Sequence, residues 1–153
     1  MVTWKEFSAA RPDLAAIGKR LLYQYKVGYA FLATVRKDGA PRLHPVCPTI
    51  AGDHLYVFIA ESPKRDDLLR DGRYALHTFP PEEGDEEFNC TGQAEPVGDP
   101  RVRADVIAAY HRRPHDSELL FELKIDRVLH TTWENWATPQ SRPCRTWWKA
   151  PAM

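Results

Sequence analysis

The sequence predicts a mainly β fold of the α+β class, in which six or seven antiparallel strands form a closed or split barrel with two or three helices at its periphery. Three observations support this prediction. Short β-branched and aromatic runs recur along the chain, turn residues separate most of them at hairpin distances, and helical periodicity is confined to a few segments.

The first elements are an amphipathic helix and a strand hairpin. Apolar residues at helical spacing predict a helix over residues 13–26. The stretch 27–36 is rich in β-branched and aromatic residues and therefore predicts a strand. Asp38-Gly39 follows it and is typical of tight hairpins, so the chain is expected to return as a strand over residues 41–50.

A third strand and a short helix complete the N-terminal half. The apolar run at residues 55–59 predicts a strand, which makes residues 27–59 an expected antiparallel three-strand meander. A helix over residues 62–71 should follow, with Ser62 as its N-cap and Gly72 as its C-terminal cap.

The C-terminal half reads as three or four strands around one more helix. An acidic loop over residues 80–87 is expected to be a solvated hairpin tip. Asp99 is the predicted N-cap of a helix that starts near residue 100 and ends at residues 111–116. The predicted strands span residues 73–79, 88–97, 119–133 and 145–149.

The length and composition of the chain predict a single globular domain. The 153 residues carry 21 Lys and Arg against 21 Asp and Glu, so the formal net charge is zero and gives no reason to expect nucleic acid or an anionic membrane as a partner. Apolar runs are too short for a membrane span, and the N-terminus lacks the apolar core of a signal peptide. Three cysteines without a CxxC spacing fit a reducing compartment, so a cytoplasmic location is expected.

The returning strand is unusual because it contains two prolines, Pro45 and Pro48. Proline cannot donate to a sheet ladder, so it is confined to edges and bulges. The simpler interpretation is an edge strand that discourages aggregation. The alternative is that unpaired backbone groups bind something outside the sheet, with Arg42 and His44 pointing in one direction. The backbone groups concerned belong to Leu43, Val46 and Cys47.

The helix start after the third strand is also unusual, because Lys64 and Arg65 follow Pro63 where the helix dipole prefers anions. One interpretation is a solvated pair that Asp66 and Asp67 balance. The other is an anion site, most simply for phosphate, at which Lys64 and the first helical N–H groups converge with Arg42. The sequence supports the two interpretations about equally.

Several segments in succession resemble a known family. The order "FLATVRKDGAPRLHPVCP … LYVFIAESPKRDDLLRDGRYALHTF … FNCTGQAEPV" is similar to flavin-binding split-barrel proteins related to pyridoxamine 5′-phosphate oxidase, over roughly residues 15–149. The resemblance implies a six-stranded antiparallel split barrel, a homodimer, and FMN in a groove at the dimer interface. It makes residues 1–153 a single flavin-binding domain.

The resemblance also implies where the cofactor lies. The strand that contains Arg42, Leu43, His44, Pro45, Val46 and Cys47 is expected to pass along the isoalloxazine ring and ribityl chain, and Phe58 and Ile59 are expected to flank it. Ser62 and Lys64 are expected to meet the phosphate, together with Arg42. Trp147 is the predicted contact from the partner chain's C-terminal strand.

Two departures from the family pattern bear on substrate and cofactor. Pro63 stands where pyridoxamine phosphate oxidases carry a second basic residue, and Arg142 and Arg145 are only candidates for their substrate-binding basic residues. The substrate is therefore expected to differ from a vitamin B6 phosphate. Other members of the superfamily bind haem or the deazaflavin F420, and Arg65 and Arg70 are candidate contacts for the longer tail of F420.

Three hypotheses of function follow. The first is an FMN-dependent oxidoreductase that acts on an unidentified small molecule or electron donor, with His44 as the ionisable group to test. The second is an F420-dependent reductase, or a flavin-binding module without fast turnover. The third is a barrel that binds single-stranded nucleic acid through tryptophans, which the zero net charge disfavours. No metal site is expected, because the scattered His and Cys residues match no ligand spacing.

Overall fold

The computed structural model describes residues 1–82 and 84–152, which form four helices and eight strands. The helices are α1 (Trp4–Ala10), α2 (Pro12–Leu22), α3 (Pro63–Arg70) and α4 (Pro100–Ala109). The strands are β1 (Ala30–Val35), β2 (Pro41–Val46), β3 (Thr49–Ala51), β4 (His54–Ile59), β5 (Arg73–Thr78), β6 (Glu87–Pro96), β7 (Leu119–Glu134) and β8 (Arg142–Lys149). Glu83, in the predicted acidic loop, lies outside the described residues.

All eight strands belong to one antiparallel sheet with the order β2-β1-β5-β6-β7-β4-β3, and β8 pairs with β7 beside this path. The fold is therefore mainly β, with four helices and a curled, half-barrel antiparallel sheet, which confirms the predicted class. The count of six strands differs from the eight described. One of the additional strands is β3, because the predicted strand at residues 41–50 is broken into two.

The predicted three-strand meander is wrong in its second half. β2 pairs with β1, from Ala30↔Val46 to Val35↔Pro41, as the Asp38-Gly39 turn predicts. The chain then leaves the ladder at Cys47 and Pro48, and β3 pairs with β4 instead. Because β4 pairs on its other side with β7, β2 and β4 are not neighbours in the sheet.

The predicted N-terminal helix of residues 13–26 is shorter than expected, and a helix before it was missed. α2 ends at Leu22, and Lys26 has a positive φ of 71°. α1 begins with a capping box, in which the Glu6 backbone N–H donates to Thr3 Oγ1 and the Thr3 N–H donates to Glu6 Oε2. The T-x-x-E signal for this helix was present in the sequence.

The long strand β7 organises the core. Phe121, Leu123 and Ile125 alternate along it and are fully buried against the two N-terminal helices and the inner sheet face. A smaller cluster lies under α4, where Phe58 and Leu120 pack against Val106. At the β6–β7 pairing the register shifts between Thr91 and Gly92, which places a bulge in the middle of the sheet.

The acidic loop is attached to the fold rather than being fully solvated. Glu86 Oε1 accepts a hydrogen bond from Arg20 of α2 at 2.7 Å and lies 2.8 Å from His130 Nε2 on β7. No helix among the described residues is long and apolar enough to cross a membrane.

Candidate functional site

The start of α3 is uncapped by side chains. Ser62 occupies the N-cap position as predicted, yet its hydroxyl donates to the Ala60 carbonyl at 2.8 Å and does not cap the helix. Its carbonyl accepts from the N–H groups of Arg65 and Asp66. Pro63 has no N–H, and no described residue accepts from the N–H of Lys64. A helix start with an open donor is suited to an anion.

The two cations at this helix start point to different places. Arg65 extends to the loop before β7, where its Nη1 donates to the Ser117 carbonyl at 3.1 Å, and its side chain is only 16% exposed. Lys64 makes no ion pair with a described carboxylate. The helix start therefore carries one engaged cation and one that is available to a ligand.

His44, on the same face of β2 as Arg42, lies within electrostatic range of Arg42 and Lys64. Burial and the charges of these two cations lower the pKa of His44 below its ordinary value, so its imidazole is neutral at pH 7. Its Nε2 is buried and has no hydrogen-bond partner among the described residues. A buried polar atom without a partner calls for an explanation, and a bound ligand supplies one. Arg42 of β2 reaches α3, where it bonds to Asp67 and lines one cavity with Pro63, although β2 and β4 are not paired as expected. The convergence of Lys64 and the first helical N–H groups with Arg42 on one anion stays a prediction.

Asp67 of α3 joins this site to β1 and β2. Its carboxylate accepts from Thr34 Oγ1 at 2.9 Å, from Arg42 Nε at 2.7 Å and from Arg70 Nη1 at 3.2 Å. Burial raises the pKa of Asp67, but the hydrogen bonds from Arg42, Thr34 and Arg70 outweigh it, so this pKa lies below its ordinary value. The sequence did not identify Asp67 as a site residue and indicated only that its negative charge offsets Lys64 and Arg65.

The lowered pKa of Asp67 predicts a pH-dependent contribution to stability. A carboxyl group whose pKa is lower in the folded than in the unfolded state stabilises the fold above its ordinary value of 3.8, and this contribution is lost as the pH falls through the folded pKa. We expect Asp67→Asn to lower the free energy of unfolding by about 2–3 kcal/mol at pH 7. Urea titrations should show the difference shrinking below pH 4, and a difference that stays constant with pH would contradict this assignment.

The predicted contacts of β2 divide between the two faces of the strand. Arg42, His44 and Val46 are directed inwards, whereas Leu43 and Pro45 lie on the outer face, where Leu43 is 63% exposed. Cys47, just after the strand, is half-buried, and burial raises the pKa of its thiol.

Phe58 and Ile59, expected to flank a cofactor, are both buried inside the chain. Ile59 belongs to the main core, and Phe58 packs in the cluster under α4, with the Arg103 guanidinium 5.1 Å above its ring. Their side chains therefore serve packing, and β4 offers a ligand only the backbone of its end.

The outer sheet face carries a row of side chains across six strands. The pairing registers align Pro45, Phe31, His77, Asn89, Leu129 and Trp147. At the β8 end, Trp147 is 62% exposed and lines a cavity of about 520 Å³ with His77 and Asn89. Four strands lie between Trp147 on β8 and Pro45 on β2 along this row. Trp147 points outwards, whereas Arg42 and His44 of β2 are directed inwards.

An aromatic group, missed by sequence reasoning, adjoins this row. Phe31 stacks on Phe79 with ring centroids 4.2 Å apart, and Tyr29 contacts Phe79 edge-on at 6.0 Å. A signal for this group was available in the sequence, because side chains alternate between the two faces of a strand and Tyr29 and Phe31 therefore share one face. By contrast, the tryptophans do not form one surface, because Trp148 packs inwards against Phe7 while Trp147 faces outwards.

The candidate contacts for the F420 tail are engaged within the chain. Arg65 donates to Ser117, and Arg70 donates to Asp67 and to the Val35 carbonyl. A cavity of about 410 Å³ lies beside Pro63, and its lining carries the cations of Arg36, Lys37 and Arg42 and the carboxylates of Asp38, Asp66 and Asp67. Among residues 1–82 and 84–152, no three metal-ligating side chains cluster.

Comparison with known proteins gives a consistent family and fold. The family described as "Pyridoxamine 5′-phosphate oxidase" matches residues 23–132, while no curated protein matches the chain significantly. The fold is similar to a heme binding protein from Mycobacterium smegmatis, with a TM-score of 0.63 and 15% identity over 84% of this chain, which spans 56% of that protein.

Two further structures share the fold. The heme storage protein HutZ from Vibrio cholerae has a TM-score of 0.60 and 15% identity, with 74% of this chain and 90% of that chain covered. PhzG from Burkholderia lata 383, solved with tetrahydrophenazine-1-carboxylic acid, has a TM-score of 0.57 and 14% identity, with 88% of this chain and 91% of that chain covered. Because the family match extends over most of the sequence and the split-barrel fold agrees with it, the chain belongs to the pyridoxamine 5′-phosphate oxidase family.

Proposed function

We propose that the chain is a flavin-dependent oxidoreductase that binds FMN with its phosphate at the start of α3. The observation that carries the proposal is the open start of α3 with its unpaired Lys64, together with the buried Nε2 of His44, which has no partner among the described residues. Proteins of this family typically bind flavin, which agrees with an anion site at this position.

The residues present fit a phosphorylated cofactor. Lys64 supplies a charge and a backbone N–H, and Arg42 supplies a guanidinium whose terminal nitrogens have no described partner. β2 is the terminal strand of the sheet and pairs with β1 alone among the described strands, so its free edge offers the backbone of Leu43–Cys47 to a ligand. Neutral His44 is able to donate or accept one hydrogen bond at Nε2. When bound, the flavin supplies the hydride or electron transfer.

The same proposal includes a homodimer. Proteins of this family are commonly dimers. Within one chain, Trp147 points outwards from the sheet, whereas Arg42 and His44 of β2 are directed inwards. The outer sheet face exposes Leu43 at one end and Trp147 at the other. A second copy that covers this face would bring Trp147 of one chain towards the cofactor site of the other.

The alternative cofactor is F420, and the cavity beside Pro63 is the observation that favours it. This cavity is lined by Arg36, Lys37 and Arg42 and also by Asp38, Asp66 and Asp67, with Arg36 paired to Asp38 and Arg42 to Asp67. A longer anionic tail would therefore depend on Lys37 and on the terminal nitrogens of Arg42, in place of the engaged Arg65 and Arg70. A flavin-binding module without fast turnover is the other alternative, and reduction by NAD(P)H followed by reoxidation with turnover separates it from an enzyme.

The test of the proposed function is an absorption spectrum of the freshly purified protein, followed by titration with FMN, F420 and haemin. The double band of oxidised flavin, or saturable quenching of FMN fluorescence, supports the proposal. Binding of F420 or haemin alone would change the cofactor while keeping the fold. If none of the three binds, the proposal is wrong.

Trp147 provides a prediction about the partner chain. We expect Trp147→Ala to weaken FMN binding at least about fivefold, because an aromatic contact contributes about 1 kcal/mol beyond burial. Fluorescence titration gives the affinity, and light scattering gives the oligomeric state. Trp136→Ala is the matched control, since Trp136 is also exposed, at 51%, but lies in the β7–β8 turn. If the two variants bind FMN with equal affinity, Trp147 does not contact the cofactor.

A further inference from the structure

We infer that Asp67 is a positioning residue for the cofactor phosphate, and that it acts through Arg42. The inference rests on the proposed function and assigns a role within its phosphate site. Asp67 does not itself contact the ligand on this view. It holds the guanidinium of Arg42 in the orientation that phosphate binding requires.

The bonds of the Asp67 carboxylate show that it is committed inside the protein. Its side chain is 4% exposed, and both oxygens are used: Oδ2 accepts from Thr34 and Arg42, and Oδ1 accepts from Arg70. These three donors lie on β1, β2 and α3, so one carboxylate ties the first hairpin to the helix that opens the phosphate site. Arg70 is fixed in turn, because it also donates to the Val35 carbonyl.

The bond to Arg42 is made through Nε rather than through the end of the guanidinium. An Arg side chain carries five N–H donors in a planar fork, and a bond at Nε fixes the plane without using the two terminal nitrogens. Among the described residues, neither terminal nitrogen of Arg42 has a partner, and the side chain is 28% exposed. It lines the cavity beside Pro63, the first residue of α3.

Preorganisation is the physical consequence. A free Arg side chain loses rotamer freedom when it binds an anion, and this loss weakens binding. Asp67 has already restricted Arg42, so an arriving phosphate meets two terminal nitrogens whose N–H groups are oriented in advance. The charges of Asp66 and Asp67 oppose an anion over a longer distance, while Arg42, Arg70 and Lys64 supply three positive charges on β2 and α3.

The experiment is a double-mutant cycle of Asp67→Asn and Arg42→Gln. Each variant's affinity is measured at 15 °C for FMN and for riboflavin, which lacks the phosphate. Only variants whose circular dichroism matches that of the wild type are compared. We expect Asp67→Asn to weaken FMN binding five- to tenfold and riboflavin binding less than twofold. In the Arg42→Gln background, Asp67→Asn should weaken FMN binding less than twofold. Asp13→Asn, which breaks the exposed pair with Arg11, is the control and should change neither affinity.

Arg42→Lys tests the inference without disturbing Asp67. Lysine has one nitrogen, so an ammonium that pairs with Asp67 leaves no second nitrogen for the phosphate. We expect Arg42→Lys to lose FMN affinity to within twofold of Arg42→Gln. Three results would overturn the role of Asp67 without contradicting FMN binding itself. They are a wild-type FMN affinity in Arg42→Lys, equal losses of FMN and riboflavin affinity in Asp67→Asn, and additive losses of FMN affinity in the double-mutant cycle. If the wild-type protein binds no FMN, the proposed function fails first and this role fails with it.

Discussion

Lys64→Ala is expected to weaken FMN binding by about 1.5–3 kcal/mol, the contribution of a hydrogen bond to a charged group, which corresponds to a loss of roughly 10- to 150-fold. The reason is that Lys64 is the cation at the uncapped start of α3 that makes no described ion pair. Quenching of FMN fluorescence measures the affinity. Riboflavin affinity should change much less, because riboflavin carries no phosphate for Lys64 to bind.

Arg65→Gln is the matched control for this substitution. Arg65 is adjacent to Lys64 and carries the same charge, but it points towards Ser117 and away from the helix start. We expect its FMN affinity to remain within about twofold of the wild type, since a charge turned away from the ligand is largely screened. If Lys64→Ala binds FMN as the wild type does, Lys64 is a surface lysine and the helix start is no phosphate site.

Gly92→Ala is expected to cost at least about 3 kcal/mol of the free energy of unfolding, because the added atom meets backbone that cannot move aside. A Cβ at Gly92 would lie 1.9 Å from the Lys124 carbonyl oxygen and 2.9 Å from its carbon. Gly92 is at the bulge between β6 and β7, the two longest strands, so relieving the clash requires their separation.

Gly98→Ala is the control, because replacing any glycine by alanine lowers the conformational entropy of the unfolded chain. A Cβ at Gly98 meets nothing within 4 Å, and the φ of this residue is not positive. Urea unfolding of both variants should give a large loss for Gly92→Ala and a change of less than about 1 kcal/mol for Gly98→Ala. A loss below 1 kcal/mol at Gly92 would mean that the two strands are not paired as described.

Local elements followed from local patterns. Asp38-Gly39 predicted the β1–β2 hairpin, Ser62 with Pro63 predicted the start of α3, and Asp99 predicted the start of α4. Each of these depends on backbone preferences and hydrogen bonds within a few residues, which the sequence contains directly. The missed helix α1 had such a signal too, in the Thr3–Glu6 capping box.

The break between β2 and β3 depended on partners far along the chain. The prolines indicated an edge or irregular strand, but nothing local indicated that β4 would pair with β7. The β4–β7 ladder joins residues 60 to 66 positions apart, so a meander remained the simplest expectation from spacing alone. The corrected order matters for function, because it leaves β2 at the edge of the sheet with its backbone accessible.

By itself, the sequence determined the class of the fold, the positions of most helices and strands, and an unusual pair of cations at a helix start. Only the tertiary structure decided that Arg65 turns to Ser117 while Lys64 makes no described ion pair, and that Asp67 holds Arg42. The physical reason is that backbone conformation responds to neighbouring residues in the chain. The direction and charge of a long side chain respond to whichever acceptors and donors the fold brings within reach.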